Sequence, residues 1–354
     1  MTAPAIRAVK AGRRTRRVTL LTSPAGGMVA PLLSEVDEVL VHEASWMKAT
    51  PAGPTASAEL AMVERLRRGA FDAAVVFTVY SQSPLPAALL CLLAGIPLRL
   101  AHCREQAYQL LTDRVPEPEP ERFVRHEVRR QLDLVRAAGM RADDDRLAVR
   151  VPPAAARGVR ARLRALGVND ARPWIALHPG ASAESRRYPA EAFAAVAAGL
   201  VQRGHAVVLL GGAGDADLVA RVQAESGEPV PALAGTTVAE LAAALSLADV
   251  VVANNSGPMH LAAAVGTPVV ALYALTNPQH TPWRVPHRLL NHDVPCGYCY
   301  RSTCPERHHD CLRRVRPDAV VRAACELLDE TRWRRSARVA SLGTGRRFPL
   351  ESHG

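Results

Sequence analysis

Trp174-Ile175-Ala176-Leu177-His178-Pro179-Gly180-Ala181-Ser182, followed by Arg186-Arg187-Tyr188-Pro189, is the stretch from which the fold is read. Its first five residues read as a strand. A turn of small residues follows, and Pro189 stands at the favoured first position of a helix that Gly204 closes. Ala206 to Leu210 is the next strand, and Thr237 with Glu240 has the spacing of a capping box before an Ala/Leu helix. A strand over Val250 to Ala253, a helix over Met259 to Val265 and a strand over Pro268 to Tyr273 continue the series. Strands alternating with helices predict βαβ units and a parallel sheet.

The same alternation runs through the first half. Val18 to Thr22, Glu38 to Val41, Ala73 to Phe77 and Leu98 to Ala101 read as strands. Ser57 to Arg68, with Ser57 as N-cap, Leu85 to Leu93 and the charged stretch Glu119 to Ala138 read as helices. Residues 139–172, with Pro152 and Pro153, read as a connector. The expected division is 1–160, 161–330 and an Arg-rich tail over 331–354. Pro4 to Lys10 reads as a helix that precedes any strand, whereas a parallel unit starts strand-first, so the sequence is expected to open partway through a βαβ unit.

Composition narrows the function. The chain has 354 residues, 48% of them hydrophobic and 22% charged, the balance of a folded protein with two domains of ordinary size. No apolar run approaches the ~20 residues of a membrane span, and the N-terminus carries no secretory h-region, so the expected compartment is the cytoplasm. Net charge is +10, almost all from Arg, since Lys10 and Lys48 are the only lysines. Those Arg are scattered and aromatics are only 4%, which argues against nucleic acid. An acidic small substrate or an anionic membrane surface fits the charge.

Three turns after strands could carry chemistry. Gly180 and Ser182 let backbone amides approach an anion at a helix start, and Arg186 adds full charge and bidentate geometry. Asn254-Asn255-Ser256-Gly257-Pro258-Met259-His260 places Ser256 and Gly257 where helix amides are free, which suits a diphosphate, although Asn and Ser are also ordinary caps and His260 could pack. Gly211-Gly212-Ala213-Gly214-Asp215-Ala216-Asp217 is a loose dinucleotide fingerprint whose acid could take ribose hydroxyls, or a solvated turn. Each is weak alone. Together they lie at the carboxyl ends of strands in one parallel sheet, where ligands bind.

HPGAS…RRYP, the GG-containing turn and NNSGPMHLAAAVGTPVVALYALTNP together resemble glycosyltransferase family nine, and LLTSPAGGMVAPLLSEVDEVLVHEASWMK (Leu20 to Lys48) resembles it more loosely. The resemblance implies a GT-B fold: two Rossmann-like domains facing across a cleft, here with the N-terminal one incomplete. It implies an inverting transferase that moves a sugar, heptose above all, from an ADP-sugar bound by the C-terminal domain to a glycan or lipopolysaccharide-type acceptor, with no cofactor required. Residue by residue, it places Gly180, Ser182, Arg186, Gly212, Asp215, Asn255, Ser256, Gly257 and His260 at the donor. Arg186 stands where the family usually has Lys, and Asn255 where it usually has Asp. The expected acceptor base is an Asp that falls upstream of Met1, because Met1-Thr2-Ala3-Pro4-Ala5-Ile6-Arg7-Ala8-Val9 matches the helix after it. Asp37 and Glu38 have no motif to replace it.

Cys296, Cys299, Cys304 and Cys311 form C-x2-C-x4-C-x6-C beside His308 and His309, a spacing that suggests structural zinc or an iron–sulfur cluster, against free or disulfide-paired thiols. Cys91, Cys103 and Cys325 read as packing residues. Three readings stay open: a glycosyltransferase working at the inner face of a membrane, a non-catalytic nucleotide-sugar-binding protein, and a sugar-nucleotide epimerase of similar architecture.

Overall fold

The protein is described from a computed structural model covering residues 1–12, 15–47, 55–168 and 172–343, with side chains described through residue 331. In the first half, α1 (Ala3–Ala11), β1 (Thr19–Thr22), α2 (Pro24–Val29), β2 (Glu38–Val41), α3 (Ala56–Arg68), β3 (Ala73–Val76), α4 (Leu85–Leu93), β4 (Leu98–Cys103), β5 (Asp113–Pro116) and α5 (Glu127–Ala137) follow in order. The second half runs α6 (Pro153–Ala165), β6 (Trp174–His178), α7 (Ala190–Val201), β7 (Ala206–Leu210), α8 (Ala216–Glu225), β8 (Ala232–Leu233), α9 (Val238–Leu247), β9 (Val250–Asn254), α10 (Gly257–Ala264), β10 (Val269–Leu272), β11 (His287–Leu290), α11 (Asp310–Arg313) and α12 (Pro317–Gly343).

The second half carries a six-stranded parallel sheet in the order β11-β10-β9-β6-β7-β8. Every residue of β6, β9 and β10 is buried, as expected when helices cover both faces. Alternation sorts them: Ile175 and Leu177 pack with Phe193, Val196 and Leu200 of α7 and Leu327 of α12. Trp174 and Ala176 pack on the other face with α6, α9 and Met259 of α10. Burying each such large side chain contributes about 1.5–3 kcal/mol. Gly204, at φ +80°, reverses the chain after α7 in a conformation that glycine adopts without strain.

The first half holds smaller parallel sheets, β1-β2 and β3-β4-β5. Leu40 packs under Met62, Val63 and Leu66 of α3 and Leu90 of α4. On the opposite side Ala5 and Ala8 of α1 meet Val128, Leu132 and Val135 of α5.

Several expectations shift. Thr55, not Ser57, caps α3, its hydroxyl accepting from the Ala58 amide. The helix expected from Glu119 begins only at Glu127, because prolines 118 and 120 interrupt it and Glu119, fully buried, is drawn into ion pairs with Arg125 and Arg130. The connector contains α6, whose Val159 and Leu163 join the core under α9. β5 lies in a stretch read without a strand. Residues 331–343 continue α12 rather than forming a tail, and 344–354 lie outside the described residues. The capping box of Thr237 and Glu240 is present.

Candidate donor site at the carboxyl edge of the second sheet

The sheet order reverses between β6 and β9: from β6 the chain steps out through β7 and β8, then returns to the other side of β6 as β9 and continues outward. A crevice forms outside the carboxyl ends of strands that diverge in this way. The turns after β6 and β9 flank it, and that after β7 lies beside them.

The three turns are stitched together. The Asn254 side chain donates to Pro179 O at 2.7 Å and accepts the Tyr188 amide at 3.0 Å, so the last residue of β9 fixes both ends of the turn after β6. Ser256 Oγ donates to Gly180 O at 3.4 Å. A Cβ on Gly180 would stand 2.2 Å from Asp215 Oδ1, so a larger residue there would push the Asp215 carboxyl out of its place against the turn after β6. Asp215 Oδ2 accepts the Gly212 amide at 3.1 Å and lies 3.8 Å from His178 Nε2. Asp215 and Gly212 therefore hold a turn, and the Asp215 side chain is 29% exposed.

Arg186 closes the short turn Glu184–Arg186. That turn is pinned through Ser185, whose amide donates to Ser302 O and hydroxyl to Arg301 O. The guanidinium Nε is buried without a partner, and burial pulls the group below the usual arginine range. Ser256 caps α10 in extended conformation and its hydroxyl accepts no amide of the helix; Pro258 has no N–H and the Met259 amide donates to Ser256 O at 3.2 Å, so the Gly257 amide is the first-turn donor left open. A half-buried arginine whose charge reaches His260 of that first turn is an arrangement suited to an anion.

Other expected residues take different places. Asn255 is an interior amide, donating to Ala274 O and accepting the Ala274 amide, both at 3.3 Å. Ser182 is exposed. His260 has an unpartnered buried Nδ1, its ring 6.4 Å from that of His280. Asp37 accepts the Val18 amide and Lys10, which hold its carboxyl below the usual range; it is a structural residue of the first half. Arg16 donates to Val9 O; Arg13 and Arg14 lie outside the described residues.

Sequence reading missed Asn254 and the residues where the two halves meet. The Glu127 amide donates to Gln279 O at 3.0 Å, and His126 Nε2 lies 2.9 Å from Thr281 O while its ring stacks on Trp283 at 4.3 Å. Tyr80 and Tyr300 bond hydroxyl to hydroxyl across the same junction. Around it Thr78 Oγ1, Glu127 Oε2, Gln131 Oε1, Thr276 Oγ1 and Gln279 Oε1 are buried with no hydrogen-bond partner among the described residues. Such groups ask for a polar ligand or water.

Burial sets the titration of this junction. His280 is pulled down to about 4, first by desolvation and then by Arg186 and His126. An unfolded histidine takes its proton near pH 6.5, at which folded His280 stays neutral. The unfolded chain then binds more protons, so stability falls as pH drops from about 6.5 to about 4. His102, His126, His178 and His260 are shifted in the same direction by burial, while burial raises Glu127 and acts oppositely. Calorimetric melting is expected several degrees lower at pH 5 than at pH 7.5; a flat profile contradicts this account.

All seven cysteines are free thiols. Cys91 and Cys103 are buried in apolar clusters. Cys296, Cys299, Cys304 and Cys311 share a small cavity with His308, and Cys296 Sγ lies 3.6 Å from His308 Nε2. Among the described residues, however, no three Cys, His, Asp or Glu side chains are placed to hold a metal ion, so the cluster as arranged does not fit zinc or an iron–sulfur centre. Among the described residues no helix is long and apolar enough to cross a membrane.

The family model for glycosyltransferase family 9 (heptosyltransferase) matches residues 60–310. Lipooligosaccharide heptosyltransferase 2 of Campylobacter jejuni subsp. jejuni serotype O:2 is 32% identical over 161 residues, 44% of this chain and 50% of that one. Lipopolysaccharide heptosyltransferase 2 of Escherichia coli strain K12 is 30% identical over 311 residues, 84% of this chain and 86% of that one. The match thus spans about half the length of the Campylobacter relative. A solved glycosyl transferase family 9 structure from Veillonella parvula DSM 2008 superposes with a TM-score of 0.76 at 20% identity, covering 93% of both chains. The shared fold is GT-B.

Proposed function

Because this chain belongs to glycosyltransferase family 9, we propose that it is a heptosyltransferase-like enzyme of lipopolysaccharide biosynthesis that takes an ADP-sugar, ADP-heptose above all, and transfers the sugar with inversion to a glycan or lipid-linked acceptor. The observation that carries the donor half is Arg186, its Nε buried without a partner and its charge reaching His260 in the first turn of α10, at the sheet edge where the strand order reverses.

In this reading the Gly257 amide at the start of α10 and the Ser256 hydroxyl hold the diphosphate. Arg186 takes up the charge that develops on it as the glycosidic bond breaks. Gly180 and Gly212 let the backbone come close, Asp215 offers its open oxygen to the ribose, and His260 faces the bound donor. Ser182, exposed, lies at the outer rim. The acceptor approaches from the N-terminal half. Its hydroxyl proton goes to a carboxylate that the family resemblance puts on a loop ahead of α1. No cofactor takes part, and the work is done at the cytoplasmic face of the membrane that holds a lipid-linked acceptor.

A thermal-shift screen of nucleotide sugars tests the donor. A ligand at about 100 times its dissociation constant adds about 2.7 kcal/mol of stability. ADP-heptose is expected to raise the melting temperature where UDP- and GDP-sugars do not; equal shifts, or none, would remove the assignment. Asn255, satisfied on both sides by Ala274 and unable to carry charge, favours a second reading, a nucleotide-sugar-binding protein without turnover. Product formation from ADP-heptose and acceptor separates the two.

A further inference from the structure

Residues 294–309 form a strap of irregular chain that is bonded to the turn carrying Arg186. Arg301 O and Ser302 O accept from the Ser185 hydroxyl and amide, at 2.8 and 3.0 Å. The Tyr298 and Tyr300 amides donate to Leu275 O and Thr276 O, at 2.6 and 2.7 Å. Tyr298, Tyr300, Arg307 and His309 all have φ between +55° and +58°, left-handed conformations that strain a residue with a side chain. The same strap carries Cys296, Cys299 and Cys304. With Cys311 they line one cavity of about 20 Å³, room for about one water, whose wall also includes Ser185. All four thiols are free and half-buried, so a small reagent reaches them. Two of the four are engaged: Cys296 Sγ lies 3.6 Å from His308 Nε2, and Cys311 packs against the core of the second half. Cys299 and Cys304 stand on either side of a bend at Ser302 and Thr303, so the two carbonyls that hold Ser185 lie on the short chain between them. Cys299 is near enough to Arg186 for its charge to act on the guanidinium.

We propose that Cys299 and Cys304 are a thiol pair that a low-molecular-weight disulfide closes to an S–S bond, and that closure frees Ser185, takes Arg186 off its aim and switches donor binding off. One thiolate of the pair attacks a sulfur of the oxidant RSSR and expels RS⁻; the other thiolate attacks the mixed disulfide and expels the second RS⁻. The new S–S bond replaces two S–H bonds, the two protons go to the two RS⁻, and the two electrons lost by the cysteines leave with the two molecules of RSH. A disulfide needs sulfurs about 2.05 Å apart and Cα atoms within about 7 Å. Cysteines on the wall of a water-sized space reach that geometry when the space closes and the chain 300–303 moves with it. Tyr300 lies in that segment, so its backbone is not at rest in the open form. The pair itself stands on the thiol cavity; its effect on the donor rests on the reading of Arg186 as a ligand of the diphosphate.

The test treats the reduced chain 1–354 with glutathione disulfide. Trypsin cuts after Arg301, between the two cysteines, so peptides joined through 299 and 304 report the bond by mass spectrometry. Hydrogen exchange at the Ser185 amide reports the turn, and calorimetric titration with an ADP-sugar reports the donor site. The expected result is the 299–304 link, Ser185 exchange about tenfold faster and ADP-sugar affinity about tenfold weaker, all reversed by dithiothreitol. Cys304→Ser is expected to keep Ser185 protected and the affinity unchanged in the oxidant, and Cys296→Ser to respond as the parent chain does. No link, a link through Cys296 or Cys311, Ser185 exchange that ignores the oxidant, or a loss of affinity that persists in Cys304→Ser overturns the proposal. So does stoichiometric zinc or iron held by the reduced thiols. Reduced protein that binds no ADP-sugar refutes the donor reading instead, and the peptide link and Ser185 exchange then decide the thiol pair by themselves.

Discussion

Arg186→Ala is expected to lower kcat/KM for sugar transfer about 10²- to 10³-fold, the scale seen when one preorganised donor to a developing anion is removed. The same substitution is expected to leave the unliganded protein as stable as before, or more so. Both effects follow from one arrangement. The turn Glu184–Arg186 is held from behind by Ser185, so the guanidinium is aimed before any ligand arrives. It is half-buried with Nε unpartnered, and no carboxylate enters among the groups that shift it. A cation kept out of water without a counter-ion destabilises the empty protein, and a bound diphosphate supplies what is missing. Arg186→Lys keeps the charge but loses the planar fork, and should fall between the two. Steady-state rates beside melting curves read both quantities; loss of stability with unchanged turnover would make Arg186 a structural residue.

Arg130→Met is the substitution expected to cost most in stability, about 3–5 kcal/mol. Arg130 is 1% exposed and bonds Glu117 from Nε at 2.8 Å, Glu119 at 3.2 Å and Glu127 at 3.4 Å, besides the carbonyl of Thr78. Its removal leaves Glu117 and Glu119 to Arg125 alone and Glu127 with no arginine partner, all three side chains at most 5% exposed. Glu127→Gln should be mild by comparison, because burial already pushes that carboxyl toward its neutral form. Denaturant unfolding checks the pair; equal and small losses would mean that the cluster is solvated rather than closed.

What could be read from residue order alone was what depends on neighbours in sequence. β6, β7 and α4 fall at their expected limits because an apolar run, or an Ala/Leu helix opened by proline, is local information. The Thr237–Glu240 box was legible for the same reason. Arg186, Ser256 and Gly257 stood out because a phosphate-binding turn needs those residue types at a helix start. Asn254 did not, since its role is to bind Pro179, 75 residues away. Nor did the reading of 119–126 as helix survive, because Glu117 and Glu119 reach inward to an arginine that only the folded chain brings near. Spacing made the four cysteines look like a ligand set; in the fold they line one small cavity, but among the described residues no three ligating side chains are placed to hold a metal ion.

The central claim is that the turns after β6 and β9 grip a diphosphate. A crystal of the protein soaked with an ADP-sugar tests it directly. The account predicts both phosphates lying across the crevice, with oxygens in hydrogen-bond contact with the Arg186 guanidinium and the Gly257 amide. Well-defined ligand density at any other place, with Arg186 still unpartnered, would contradict it.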